Sequence, residues 1–220
     1  ISAALPASFD ARTQWPSCSQ IGAIRDQADC GACWAFAAAE TMSDRVCIAT
    51  NGTQQPVLSA EDMLSCCGDL CHVNGCSGGN SFGAWLYMAT AGVCTGGEFW
   101  GNVGCKPYQF EPCGLVTVDG VSHNHNCKYD DPVIAQCAAA CTNEQYDKPY
   151  NEDKYYGKSA YALKNDVDAI KQEIFDHGPV DASFTVYEDF DQYNGGIYQH
   201  VSGSVLGGHS VKIIGWGEEN

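Results

Sequence analysis

The chain has 220 residues, 14 of them cysteine, and a formal net charge of −16 from 27 acidic and 11 basic residues. Length admits one large domain or two small ones with a real core, so the cysteines are not compensating for a tiny fold. The acidic balance excludes a nucleic-acid binder that works through phosphate contacts and disfavours anionic membranes.

The cysteine density points to an oxidising compartment: secreted, endomembrane or lysosomal. Hydrophobic content of 45% excludes wholesale disorder. No stretch approaches the roughly 20 apolar residues that span a bilayer. Ile1 to Phe9 has neither a basic start nor a long apolar run, and the first residue is not Met. The chain therefore reads as a processed or fragmentary form of something once targeted for secretion.

Helix signals concentrate early. Residues 33 to 46, CWAFAAAETMSDRV, are Ala-rich and nearly free of breakers, which predicts a helix buried on most faces. Ser59 opens a second helix as its cap, with Asp62 three residues on, and Gly68 stops it. Ser81 to Ala91 reads as a third helix ended by Gly92. From about 95 to 160, Gly, Pro and Cys punctuate the chain, which predicts mostly loop held by crosslinks. A last helix runs near Val167 to Asp176, with Val167, Ile170 and Ile174 on one face, and Gly178-Pro179 ends it. Strands follow at Ala182 to Tyr187, Gly196 to Val201 and Ser210 to Trp216. Helices first and strands later argue for an α+β fold with two lobes. No internal repeat and no low-complexity linker interrupts it.

The most informative segment is Gln27-Ala28-Asp29-Cys30-Gly31-Ala32-Cys33-Trp34. Cys33 sits where a loop turns into the Ala-rich helix. A helix N-terminus carries partial positive charge and unpaired N–H groups, and both favour a thiolate nucleophile. The Cys33 backbone N–H and the Gln27 side-chain amide are candidate oxyanion donors. Two blander readings stand beside this one. Cys33 is a disulfide partner like its neighbours, or Cys30 and Cys33 form a C-x-x-C redox pair, although no βαβ unit precedes it. The candidate bases are His72, His123, His125, His177, His200 and His209. His209 follows paired glycines and precedes the apolar strand Val211-Lys212-Ile213-Ile214, a placement that suits a cleft. Read alone, it is more often a hydrogen-bonded core or strand-edge histidine.

Together these segments resemble the papain family of cysteine peptidases, and in particular its cathepsin B group. The resemblance is carried by Cys30-Gly31-Ala32-Cys33-Trp34, Leu5 to Arg12, Ser43 to Cys47, Ser59 to Asp62 with Cys66-Cys67-Gly68, and Gly75 to Gly79. It continues in Gly195 to Val201, Gly207-Gly208-His209 and Gly215-Trp216-Gly217, so it spans essentially the whole chain. It implies a papain-like fold with a helical left lobe and a β-barrel-like right lobe. Residues 1–14 would form an N-terminal arm, 15–104 a mainly helical lobe, 105–141 a disulfide-rich insertion like an occluding loop, and 142–220 a mainly β lobe. It implies Cys33 as nucleophile, His209 as acid/base and Gln27 as oxyanion donor. Gly78, Gly79 and Gly208 would bind extended substrate backbone. Ser81, Ser183 and Ser210 would wall the S2 pocket, where cathepsin B has Pro or Ala.

His209 follows Cys33 by 176 positions, against the roughly 130–150 of papain-like enzymes, and the excess fits the insertion. Two departures follow. Cys113 is followed by Gly114-Leu115-Val116-Thr117 and not by the adjacent histidines of an occluding loop. His123 and His125 come later, and Asp26 matches a residue that pairs with a loop histidine. The chain also stops at Asn220, before the Asn-Ser-Trp motif that holds the catalytic Asn of the family, so a C-terminally truncated piece is expected.

With Cys33 set aside, 13 cysteines remain. The resemblance implies Cys18–Cys47, Cys30–Cys76, Cys66–Cys137, Cys67–Cys71, Cys105–Cys141 and Cys113–Cys127. Cys94 is left over, as a buried free thiol or a partner for something beyond the chain. Asn51-Gly52-Thr53 is the one N-x-Ser/Thr sequon, so Asn51 is a candidate glycan site. The expected partners are polypeptide substrates, with propeptide and cystatin-type inhibitors by resemblance, and a monomeric state. No nucleic acid, membrane span, metal or cofactor is expected. The expected location is lysosomal or secreted, including a gut lumen. The rival function is a non-catalytic or impaired relative that binds peptides or matrix.

Overall fold

The computed structural model describes residues 4–118, 120–126 and 132–219. Strand β1 (Phe9–Asp10) leads into a single helical turn, α1 (Ala11–Gln14), and the sequence reading anticipates neither. The Asp10 carboxylate caps that turn by accepting the Arg12 N–H at 2.9 Å.

α2 (Cys33–Ala49) is the axis of the molecule. Most of its residues are buried, as its alanines predict, because small side chains let neighbours approach on every side. α3 (Ala60–Cys66) and α4 (Ser81–Thr90) pack on it. The main core contains Trp34, Phe36, Met42, Leu58, Met63, Leu64, Tyr87, Met88 and Tyr108. Ser59 caps α3 as expected, accepting the Asp62 N–H at 2.9 Å. The Asp62 side chain does not complete a reciprocal box. It is fully buried, and the ammonium groups of Lys106 and Lys154 each lie 2.8 Å from one of its oxygens. The Ser59 N–H that a box would use is spent on the Cys94 carbonyl at 2.9 Å, and two cations hold the buried carboxylate instead. Gly92 follows α4 at φ +71, the left-handed conformation in which glycine is free of a Cβ penalty.

α5 (Val167–His177) is capped by Asp166, which accepts from the N–H groups of Asp168 and Ala169. Beyond Gly178, β4 (Val180–Tyr187) pairs antiparallel with β5 (Val205–Ile213), in a register that sets Ser183 opposite Ser210 and Phe184 opposite His209. β6 (Gly215–Trp216) returns to pair with β1, so the chain's two described ends meet. Polar clamps hold α2 to its neighbours: Lys212 of β5 to Asp44 at 2.8 Å, and Arg45 to Glu173 of α5 at 2.9 Å.

The structure corrects the sequence reading at two places. Within the stretch read as loop, β2 (Gly114–Val118) and β3 (Val121–His125) form a hairpin. Gly196 to Val201 is not a strand. The Asp189 carboxylate takes the Tyr198 hydroxyl at 2.6 Å and the Val201 N–H at 2.7 Å, and the His200 ring stacks on Tyr187. The backbone donor is thus spent on a side chain rather than a ladder. Among the described residues the sheets are all two-stranded and no barrel closes.

The buried acids set a pH dependence. Burial pushes Glu61 up to about 7, and Asp44 and Asp181 up to about 6. A carboxyl raised on folding binds its proton more tightly in the native state. Stability from these three is fullest below about pH 4 and is lost as pH rises through 6 to 7. Asp62 acts in the opposite sense: burial disfavours its charge, but Lys106 and Lys154 outweigh that and hold it below the usual range, so its contribution is lost in strong acid. The expected result is a melting temperature about 5 °C or more higher at pH 5 than at pH 7.5. Thermal unfolding across that range checks it, and Glu61→Gln should flatten the slope. A melting temperature that rises with pH contradicts it.

Candidate active site

Cys33 is the first residue of α2, and no side chain caps that end of the helix. Ala35 spends its N–H on the Ala32 carbonyl at 2.9 Å, which leaves the N–H groups of Cys33 and Trp34 at the helix start for a ligand or transition state, and the helix dipole points its positive end at the same place. The loop before it is held from two sides. Cys30 is disulfide-bonded to Cys76, and the Gly31 N–H donates to the Cys76 carbonyl at 2.7 Å. A Cβ on Gly31 would stand 2.5 Å from that carbonyl oxygen, so only glycine permits the approach. The same crosslink carries the Gly78–Gly79 strip. Gly79 lies against the Trp34 indole so closely that a Cβ would come within 2.3 Å of it. Nucleophile loop and glycine strip are one braced unit.

Cys33 is half-buried and free, so the disulfide and redox-pair readings of it fall away: its C-x-x-C neighbour Cys30 is bonded to Cys76. Cys33 of α2 and His209 of β5 line one cleft of about 360 Å³, together with Gln27 and Ser210. Burial pushes the His209 imidazole below its ordinary value. Phe184 meets its ring edge-on at 5.8 Å between centroids, which limits how the ring can turn. The Gln27 carbonyl accepts from the Tyr108 hydroxyl at 2.8 Å, which fixes its backbone. A thiol at a helix start, an imidazole opposite and an amide beside them are the parts that nucleophilic acyl transfer needs.

The three serines also meet. Ser81 donates to Ser210 at 3.2 Å, and the Ser183 and Ser210 hydroxyls are 2.8 Å apart. Gly208 lies on β5 beside His209. The loop histidines and Asp26 are not brought together. The His123 ring stacks on Trp100 at 4.0 Å, and His125 pairs with Glu111 at 3.2 Å. The Asp26 carboxylate accepts the Ala28 N–H at 2.7 Å, and among the described residues no ion pair joins it to a histidine.

Five expected bridges are present: Cys18–Cys47, Cys30–Cys76, Cys66–Cys137, Cys67–Cys71 and Cys105–Cys141. For the sixth, Cys127 lies outside the described residues. Cys94 is a fully buried free thiol packed against Cys105 and Tyr150, and burial raises its pKa. Its sulfur, the Cys105 sulfur and an Asp153 oxygen lie within 4.8 Å of one another. Those donors are spent, because Cys105 is bonded to Cys141 and Asp153 accepts from Thr95 and Tyr146. Asn51 is exposed in the turn that ends α2.

Sequence reasoning missed Asp181 and Trp85. The Trp85 indole N–H donates to Asp181 Oδ2 at 3.2 Å, beside Ser81 and Ser183. Alternation along β4 could have found Asp181, two positions before Ser183 on the same face.

Comparison with known proteins points to one family. The sequence pattern of the family described as papain family cysteine protease matches residues 5–220. The chain is 52% identical over 216 residues to the cathepsin B-like cysteine proteinase 4 of Caenorhabditis elegans, covering 98% of this chain and 63% of that protein. It is 48% identical over 218 residues to a gut-specific cysteine proteinase of the same organism, covering 99% of this chain and 62% of that one. The solved procathepsin B S9 of Trypanosoma congolense superposes with a TM-score of 0.80 at 36% identity, over all of this chain and 65% of that one. The chain thus spans somewhat under two thirds of the length of these relatives. It belongs to the papain family of cysteine proteases, among the cathepsin B-like members.

Proposed function

We propose that the protein of which this chain forms part is a cysteine peptidase, and that the convergence of Cys33, His209 and Gln27 on one cleft carries its chemistry. The Cys33 thiolate attacks the scissile carbonyl, with the Cys33 N–H and the Gln27 amide holding the oxyanion. Imidazolium at His209 protonates the leaving amine. The neutral ring then activates water to release the acyl group, which regenerates the thiol. Gly78, Gly79 and Gly208 bind the extended substrate backbone by main-chain hydrogen bonds, and Ser81, Ser183 and Ser210 wall the pocket for the P2 side chain.

The substrates are polypeptides, and a propeptide and cystatin-type inhibitors occupy the same cleft. The working form is a monomer, in an oxidising lysosomal or secreted setting such as a gut lumen. The five bridges and the acid-favouring carboxyls support that setting. Among the described residues no helix is long and apolar enough to cross a membrane. Asn51 carries a glycan when the sequon is used. Turnover of a fluorogenic peptide amide at acid pH by the full-length protein tests the reading. Turnover abolished by thiol alkylation supports it. Absence of turnover, beside an active homologue, defeats it.

Endopeptidase activity is the base function, and dipeptidyl-carboxypeptidase activity is added by the 105–141 insertion. His123 and His125 lie on one hairpin strand, two positions apart, where both rings share a face. Changing both to Ala should lower dipeptide release about tenfold or more and leave internal cleavage within twofold. Release of C-terminal dipeptides from a blocked peptide, measured beside internal cleavage, checks this. Equal losses in both activities defeat the assignment.

A further inference from the structure

α2 and β5 carry Cys33 and His209 to one cleft, and further along they are tied together by one cation. Lys212 of β5 lies 2.8 Å from Asp44 and 3.6 Å from Glu40 of α2, and its ammonium also donates to the Gln20 carbonyl at 3.1 Å. Among the described residues these are the ion pairs that join β5 to α2. All three side chains are largely withdrawn from water, Asp44 completely. Asp44 Oδ1 has no hydrogen-bond partner, so this carboxylate depends on Lys212. The other charges near the clamp have partners elsewhere. Arg25 pairs with Glu98 and Arg12 with Asp10, while Asp181, opposite Lys212 in the strand register, accepts the Trp85 N–H.

The spacing of the clamp matches the spacing of the reacting pair. Cys33, Ala37, Glu40 and Asp44 stand at i, i+4, i+7 and i+11, which is one face of a helix. At about 1.5 Å per residue, Glu40 lies about 10 Å along α2 from Cys33. At about 3.3 Å per residue, Lys212 lies about 10 Å along β5 from His209. Lys212 meets Glu40 and Asp44 while His209 shares the cleft of Cys33, so helix and strand run the same way and in step. A slip of one residue would turn Lys212 away from α2 and move His209 about 3.3 Å along the cleft. Apolar contact between helix and strand is non-directional and resists such a slip weakly. Breaking a buried ion pair strands its charges, which resists the slip strongly.

We propose that Lys212 is a positioning residue for the peptidase: clamped to Asp44 and Glu40, it sets the register of β5 on α2 that brings His209 to the cleft of Cys33. The proposal rests on the peptidase reading and adds to it a residue that acts through His209.

The test uses the full-length protein at pH 5 and one fluorogenic peptide amide, with the active sites of each variant counted by exhaustive labelling with a thiol-directed epoxide. Burial raises both acids, so without the cation they take up protons there, and Lys212→Met leaves no stranded charge. Lys212→Met should lower kcat per titrated site about tenfold or more, with KM within about twofold, because a misplacement of about 1 Å costs about 100-fold. Lys212→Arg keeps the cation and should return kcat to within about threefold of the parent. A merely structural lysine would lower the number of titratable sites and leave the kcat of each unchanged, and that result overturns the proposal. An equal loss of kcat in Lys212→Arg and Lys212→Met overturns it as well. Should Lys212→Met not fold, Asp44→Asn decides, because Lys212 keeps Glu40 as a partner. A kcat per site about threefold or more below the parent supports the clamp, and an unchanged value defeats it. A parent protein that takes no label at Cys33 and cleaves no peptide overturns the peptidase reading itself, which separates the two failures.

Discussion

Cys33→Ala in the full-length protein should lower kcat by about 10⁴-fold or more, with KM nearly unchanged and the fold intact. The reason is local. Cys33 is half-buried, forms no disulfide and starts α2 without a side-chain cap, so its removal breaks no crosslink and opens no core cavity. On the proposed mechanism what disappears is the nucleophile, and the oxyanion donors and binding cleft that remain supply only residual catalysis. His209→Ala should cost about 10³-fold or more. The double variant should be no worse than Cys33→Ala alone, because residues acting as one unit do not add. Steady-state kinetics on one peptide, with thermal melts of each variant, checks all three. A Cys33→Ala enzyme within tenfold of the parent contradicts the assignment.

The second large effect is on stability. Asp62 is fully buried on α3, between Lys106 and Lys154, and also accepts the Tyr150 hydroxyl at 2.8 Å. Both ammonium groups lie over the Tyr150 ring, at 4.4 and 4.3 Å from its centroid. Asp62→Asn removes the one charge that neutralises two nearly dehydrated cations. Breaking such a pair costs about 3–5 kcal/mol, because the surviving charges have no water to return to. Over 220 residues that corresponds to a melting-point loss of about 10 °C. Lys106→Met added to Asp62→Asn should recover part of it, since one stranded cation is then gone. Urea or thermal unfolding of the three proteins checks this, and a loss below about 1 kcal/mol contradicts it. A chain with this many disulfides can unfold irreversibly, in which case unfolding half-lives should rank in the same order.

Much of this was legible in the sequence wherever one local signal agreed with its neighbours. The Ala-rich run at 33 to 46 and the Ser59 cap each announce a helix that the structure contains. Cys33 and His209 stand out in the sequence as candidates because a helix start and a glycine-flanked strand are unusual places for a thiol and an imidazole, and the structure sets both on one cleft. The hairpin of β2 and β3 was missed although Val118-Asp119-Gly120-Val121 carries an Asp-Gly turn signal between apolar residues. Dense Cys, Gly and Pro around it concealed the alternation. Gly196 to Val201 failed for the opposite reason: its strand-like residues are real, but Asp189, distant in the pairing pattern, claims the backbone. Asp62 read as half of a capping box because its two lysines lie 44 and 92 positions away, beyond any local window. The disulfide pairing was accessible only through resemblance, since spacing alone leaves connectivity open.

The central claim is that Cys33, activated opposite His209, is the reactive thiol of this protein. Treatment of the full-length protein with a thiol-directed epoxide, followed by peptide mapping, tests it most directly. The label should appear at Cys33 and not at Cys94, which is buried and whose thiol is held protonated. Its rate should fall about 100-fold or more in His209→Ala. Label at Cys94, or none at Cys33 under conditions that modify an active homologue, would contradict the account.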